Sequence, residues 1–404
     1  MEHQHDNSEL IRKALQSVPL PPRAVRELLR ISQKADVDMQ RIIDTITSDE
    51  ALTARVIRVV NSALFGMKRQ ISSVQQATVL LGRGAIVQMA VGVAALHMET
   101  AVPADLPLSR QAFWRHSMST AFLARHVATS CGEADAEKAF TAGLLHDIGK
   151  LVLMGYLGPE YTFVLQRAQE EQRPLYRVER DMLGADHDDI GRELCDKWKL
   201  SASLREAASL HRSDAGADRL NRIVQAANAA VKAAGVGESG NPHVHLAQLP
   251  QTEVQETARN LGFIRELPHE VARIERAFRS GGGHDPEGEE AEATEATKGT
   301  IFVQVQDETL EALVAIALCG LGFEPKRYPS GANGPRDARA LEALDVDCVG
   351  GVTDGAPPQA ADGTWVDVAA WRHERSRGAE GTINLAALRT WLDRALDAPQ
   401  TEKA

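Results

Sequence analysis

Cysteine, excess positive charge and long apolar runs are all scarce in this chain of 404 residues. The four cysteines, Cys131, Cys195, Cys319 and Cys348, are scattered with no C-x-x-C pair. That excludes a disulfide framework or a cysteine-based zinc site and leaves reduced core thiols. Lys and Arg number 45 against 56 Asp and Glu, a formal net charge of -11. This balance argues against a nonspecific nucleic-acid binder. The longest nearly apolar run, Ala85 to Leu96, is interrupted by Gln88 and falls short of the roughly 20 residues of a spanning helix. The first residues, Met1-Glu2-His3-Gln4-His5-Asp6, lack the apolar core of a secretory signal. The expectation is a cytoplasmic protein that contacts neither membrane nor nucleic acid directly.

What is present is ordinary globular material, 43% apolar and 25% charged. The length predicts two or three domains. Residues 8–278 read as one large all-α domain with no convincing alternating strand. Ile42, Ile43, Ile46, Leu52, Val56, Val59 and Val60 recur at three- and four-residue spacings. Ser48-Asp49-Glu50 supplies cap chemistry. Val102-Pro103 and Leu106-Pro107 break the pattern, so two helical lobes are expected to meet near residue 100. Residues 279–298 contain Gly281-Gly282-Gly283, Pro286 and a run of Glu, and read as a flexible acidic linker. From 299 to 397 short strand-type runs alternate with helical ones: Ile301 to Val305, Asp307 to Leu318, Phe323 to Tyr328, Ala338 to Leu344, Cys348 to Val352, Trp365 to Ala369 and Leu385 to Leu396. That alternation predicts a small parallel α/β domain. The fold class is therefore multidomain, all-α followed by α/β.

One dipeptide carries most of the chemistry. His146-Asp147 lies in Gly143-Leu144-Leu145-His146-Asp147-Ile148-Gly149-Lys150, between apolar, helix-compatible flanks. Both side chains can ligate a metal from one turn of a buried helix. A buried carboxylate requires a cation or strong donors beside it. His116, His187 and His211 lie in separate helical segments.

Several blocks in one order resemble the HDOD family, bacterial signalling proteins with a helical domain related to HD-type metal phosphohydrolases. They are Leu20-Pro21-Pro22, Ser48 to Arg55, Val60-Asn61-Ser62-Ala63-Leu64-Phe65-Gly66, Ile71-Ser72-Ser73-Val74 and Leu80-Leu81-Gly82. The resemblance covers about residues 17 to 278. Read physically, Asn61 ties a loop through backbone hydrogen bonds, and the Ile71 to Val74 block is a serine-capped helix start. Arg12, Lys13, Arg23, Arg26 and Arg30 form a solvated basic face.

The resemblance implies a pocket. His116 matches the early His, His146 and Asp147 the pair, and His187 and His211 the added ligands of two-metal relatives. Lys150 matches a lysine that faces phosphate in active relatives. The late Asp is replaced by Asn228, whose neutral amide is a weaker ligand for a hard ion. His211 is followed by Arg212-Ser213-Asp214, so the extended motif of the cyclic di-GMP phosphodiesterases is absent. Two readings follow. In one, these residues hold Fe, Mn or Zn for phosphoester hydrolysis of a nucleotide or cyclic dinucleotide, with Asp147 and Lys150 catalytic. In the other, the pocket is a relic and the domain is an output or scaffold module binding other signalling proteins, or a nucleotide second messenger. The C-terminal segment resembles a degenerate response-regulator receiver. Asp307 stands for its magnesium-binding acid, Gln306 where a second acid is expected, and Asp354 for the phosphoacceptor.

Overall fold

The structure is a computed structural model. It describes residues 13–16, 23–32, 38–67, 69–96, 108–133, 136–200, 202–208, 218–241, 243–279, 300–304, 308–327, 348–353, 364–367 and 382–397. The linker from 280 to 298 and the lobe junction near residue 100 lie outside these residues, as do His211, Gln306, Asp307, the 338–344 helix and Asp354.

After a helical turn at residues 13–16 come α1 (Arg23–Ser32), α2 (Met39–Thr47), α3 (Glu50–Val60), α4 (Val74–Leu81) and α5 (Arg83–Leu96). Their starts follow from capping. Asp38 accepts from Gln40 N, Asp49 from Leu52 N and Ser73 from Gln76 N, each satisfying an orphan donor of a first turn. Asn61 ties the loop as its residue type suggested: Nδ2 donates to Ile71 O and Oδ1 accepts from Ile71 N, both at 2.7 Å. The apolar stripes converge, with Ile42, Ile46, Val56, Val59 and Val60 fully buried.

The next helices are α6 (Arg110–Ser130), α7 (Ala136–Leu145), α8 (Ile148–Leu157), α9 (Pro159–Glu170), α10 (Leu175–Leu183), α11 (His187–Lys197), α12 (Ala202–Ala207) and α13 (Arg219–Ala234). Phe65 packs edge-on against Phe122 of α6 and Phe140 of α7 at centroid distances of 6.4 and 6.0 Å, joining the first helices to these through an aromatic cluster. After α13 comes β1 (His243–His245), then α14 (Gln251–Ala258) and α15 (Leu261–Arg279). The strand β1 departs from the all-α expectation for residues 8–278. It is three residues long, and its partner lies far downstream.

That partner is β6 (Thr382–Asn384), antiparallel with His243 opposite Asn384. Between them run β2 (Thr300–Gln304), α16 (Glu308–Gly320), β3 (Glu324–Arg327), β4 (Cys348–Thr353) and β5 (Thr364–Asp367), and α17 (Leu385–Asp397) closes the described chain. The strands fall in four of the segments where the sequence places strand-type runs, and pair in parallel in the order β3-β2-β4-β5. Helix α16 packs on α13, α14 and α15, burying Leu310, Leu313, Val314 and Leu318 in the same core as the earlier helices. Polar ties reinforce the contact: Gln255 Nε2 donates to Glu308 at 2.7 Å and Arg389 Nη2 to Gly320 O at 3.2 Å. Among the described residues, no helix is long and apolar enough to cross a membrane.

Candidate metal centre

The structure places His146 and Asp147 between helices, where the sequence suggested one continuous buried helix. Helix α7 ends at Leu145 and α8 begins at Ile148, with Asp147 at the N-cap position but making no cap bond. Its carboxylate is thereby freed to turn inward. The apolar flanks hid this break, because residues 139–145 and 148–154 are buried on both sides of it.

Close helix approach builds the rest of the site. Gly149 lies where a Cβ would meet His187 O at 1.9 Å and Gly191 N at 2.8 Å. Only hydrogen at that position lets the first turn of α8 cross the start of α11, which brings His187 to Asp147. Helix α6 contributes His116, whose ring stands 5.4 Å from that of His146.

Asp147 is surrounded by cationic or polar groups. Lys150 Nζ donates to its Oδ2 at 2.7 Å and to Ser239 O at 3.0 Å. His146 Nε2 lies 3.3 Å from Oδ2, and His187 Nε2 lies 3.7 Å from Oδ1. Burial would raise the Asp147 carboxyl, but His146 and Lys150 outweigh it and hold the group well below the usual carboxylate range. Burial, helped by His146, pushes His116 well below the ordinary imidazole value, which keeps its ring neutral.

His116, His146 and Asp147 each offer a ligand atom, and these atoms all lie within 4.8 Å of one another. Nδ1 of His146 donates to Gly143 O at 2.7 Å, which leaves Nε2 as the ring nitrogen able to bind a metal. The Nε2 atoms of His116 and His146 are buried with no hydrogen-bond partner, as is Asn228 Oδ1. Two imidazoles with orphaned Nε2 atoms, together with one carboxylate, fit one Fe, Mn or Zn ion.

His187 is occupied differently. Its Nδ1 donates to Glu179 in a very short bond, its backbone N donates to the same carboxylate at 3.0 Å, and Tyr161 donates its hydroxyl to Glu179. Glu179 was invisible to sequence reasoning. It is one acid among charged neighbours on α10, and only its complete burial marks it. Asp188 is also buried, 3.6 Å from His187 Nε2. The pocket thus holds two further buried acids beside Asp147, neither of which stands in the His116–His146–Asp147 group.

The Glu179–His187 pair sets a pH window. Burial opposes both charges. The His187 imidazole nevertheless keeps Glu179 below its ordinary value, and the Glu179 carboxylate keeps His187 above its own. The Glu179 contribution is lost as pH falls through its lowered value, and the His187 contribution is lost as pH rises through its raised one. Urea unfolding across pH should show greatest stability between the ordinary Glu and His values, and Glu179→Gln should flatten both flanks. An unchanged profile in that variant would show that the pair does not titrate with folding.

A buried His-Asp pair in a helical domain, backed by a histidine from an earlier helix, forms the centre of the site. Residues 18–213 match the HDOD domain, and the chain carries that domain there. A chain from Geobacter sulfurreducens described as an HDOD domain protein with unknown function aligns with 68% of this chain and 97% of its own. The TM-score is 0.53 at 23% identity, a likeness of fold. The MmoQ response regulator of Methylococcus capsulatus str. Bath aligns over 54% of this chain and 87% of its own, at 27% identity and a TM-score of 0.30. An uncharacterized protein of Treponema pallidum (strain Nichols) is 25% identical over 199 residues, 49% of this chain. This chain spans only 38% of that relative's length.

Proposed function

We propose that this is a signal-transduction protein in which the HDOD domain is a non-catalytic output or scaffold module. The observation that carries the reading is the Lys150 ammonium on Asp147. A fully buried lysine already neutralises the one carboxylate of the His116–His146–Asp147 group, so the cation the carboxylate needs is supplied by the chain. Asn228 adds no charge where an active relative's late acid would. The name of the Methylococcus response regulator agrees with a signalling role. The C-terminal α/β segment, packed on α13 to α15, suits a regulatory unit of receiver type, with Asp307 and Asp354 as its acids.

The competing reading is a metal-dependent phosphohydrolase, favoured by the orphaned Nε2 atoms of His116 and His146. Those two residues and Asp147 would hold the ion. When bound, it would supply Lewis acidity and a more acidic water. Lys150 would then have to leave Asp147 or share it. Protein purified without chelators should bind at most one such ion per chain, lost in His146→Ala. It should show no turnover on cyclic dinucleotides or nucleotides. Hydrolysis at about one per second or faster, abolished by His146→Ala, would establish the enzyme instead.

A further inference from the structure

Residues 235–245, from the end of α13 to the end of β1, touch two parts of the molecule at once. Their middle is seated on the His116–His146–Asp147 site. Glu238 N donates to Ala112 O at 3.0 Å, and a Cβ on Gly237 would lie 2.4 Å from both Ala112 O and His116 N. Only hydrogen at that position lets this backbone lie against α6 beside His116. Ser239 O then receives Lys150 Nζ at 3.0 Å, the same ammonium that holds Asp147 Oδ2 at 2.7 Å. The segment is thus a lid on the pocket. It lies outside residues 18–213, so the lid is supplied by chain that follows the matched HDOD region.

Both ends of the lid are held by the C-terminal α/β part of the chain. At the first end, a Cβ on Gly235 would meet Cζ of Arg389, on α17, at 2.6 Å. Arg389 Nη2 donates to Gly320 O at 3.2 Å, and Gly320 is itself packed on Ala234, the last residue of α13. At the other end, His243, Val244 and His245 pair with Asn384, Ile383 and Thr382 of β6. Gly235, Gly237 and Gly240 hold φ of +70°, within a few degrees: +73°, +69° and +71°. Glycine enters and leaves that left-handed region at little cost. The segment therefore carries its own hinges between two clamps.

We propose that residues 235–245 are a strap through which the C-terminal α/β part sets the state of the buried site. With β6 and α17 docked, the Ser239 carbonyl is held on Lys150 and the site is closed. When they shift, the strap lifts, Lys150 loses that carbonyl, and His116 and Asp147 open to solvent. The inference rests on reading the C-terminal part as a regulatory unit, and it adds the route by which that unit acts.

The test is amide hydrogen exchange of the full chain, comparing wild type with Arg389→Met, which removes one clamp without touching the pocket. Exchange should quicken about 10-fold, the fold-change of one charge-assisted hydrogen bond, in peptides covering 236–242 and also 146–150. Exchange in α2 and α3 should stay as in the wild type. A second variant tightens the other clamp: Val244→Cys with Ile383→Cys, directly opposite in the β1–β6 register and within reach of a disulfide. Oxidation should slow exchange in both peptides, and reduction should reverse it. Changes confined to α17 and Gly235 in Arg389→Met, with no effect of the cross-link at 146–150, would overturn the strap. Changes that reach α14 and α15 but not 236–242 would also overturn it, while leaving a regulatory unit that acts by another route. No change outside α17 and the cross-linked strands would count against both readings.

Discussion

Asp147→Ala should destabilise the protein by roughly 3–5 kcal/mol, the usual cost of stranding one member of a buried ion pair. The carboxylate is 1% exposed and Lys150 is fully buried. Once it is removed, the Lys150 ammonium keeps a single acceptor, Ser239 O, at 3.0 Å. The loss should follow from the stranded charge more than from missing volume. A double variant, Asp147→Leu with Lys150→Met, should therefore recover most of it, because apolar groups of similar size can replace a buried pair at little cost. Equilibrium urea unfolding of the two single variants and the double variant measures the coupling. Purely additive losses would show that the pair is not the stabilising unit.

The second large effect is expected at Gly149. An alanine there would place its Cβ 1.9 Å from His187 O, and that atom is backbone, with no flexible side chain to swing aside. Helices α8 and α11 would have to separate, which would part Asp147 from His187. Overpacking of this kind costs about 3 kcal/mol or more. Circular dichroism should retain helix content while the melting temperature falls sharply, and metal content should fall with it. A Gly149→Ala protein as stable as the wild type would mean that the two helices do not cross at that point.

The sequence showed much of this because local chemistry leaves local marks. Asn61 lies ten residues from the backbone it ties, and Asp49 and Ser73 cap helices that begin at the next residue. The blocks around them sufficed to suggest the HDOD family. Features that depend on distant partners left no such mark. Glu179 is one acid on a charged helix until Tyr161 and His187 close on it. The strand at His243–His245 has no alternating pattern of its own and exists through pairing with residues 382–384. His146-Asp147 was visible as a motif, but its position at a helix break was not, since helix starts without a side-chain cap carry little sequence signal.

The β1–β6 pairing also bears on how the chain is made. The residues that close the pocket, from Gly237 to His245, leave the ribosome long before Thr382–Asn384, the strand that pairs with β1. At synthesis rates of roughly 5–20 residues per second, the lid of the pocket must wait several seconds for its last tether. During that interval the nascent helical domain already holds Asp147 and Lys150, while β1 presents an open edge. Folding of this protein should therefore finish with the C-terminal strand and helix, and chains that stop early should expose that edge to pairing with other chains.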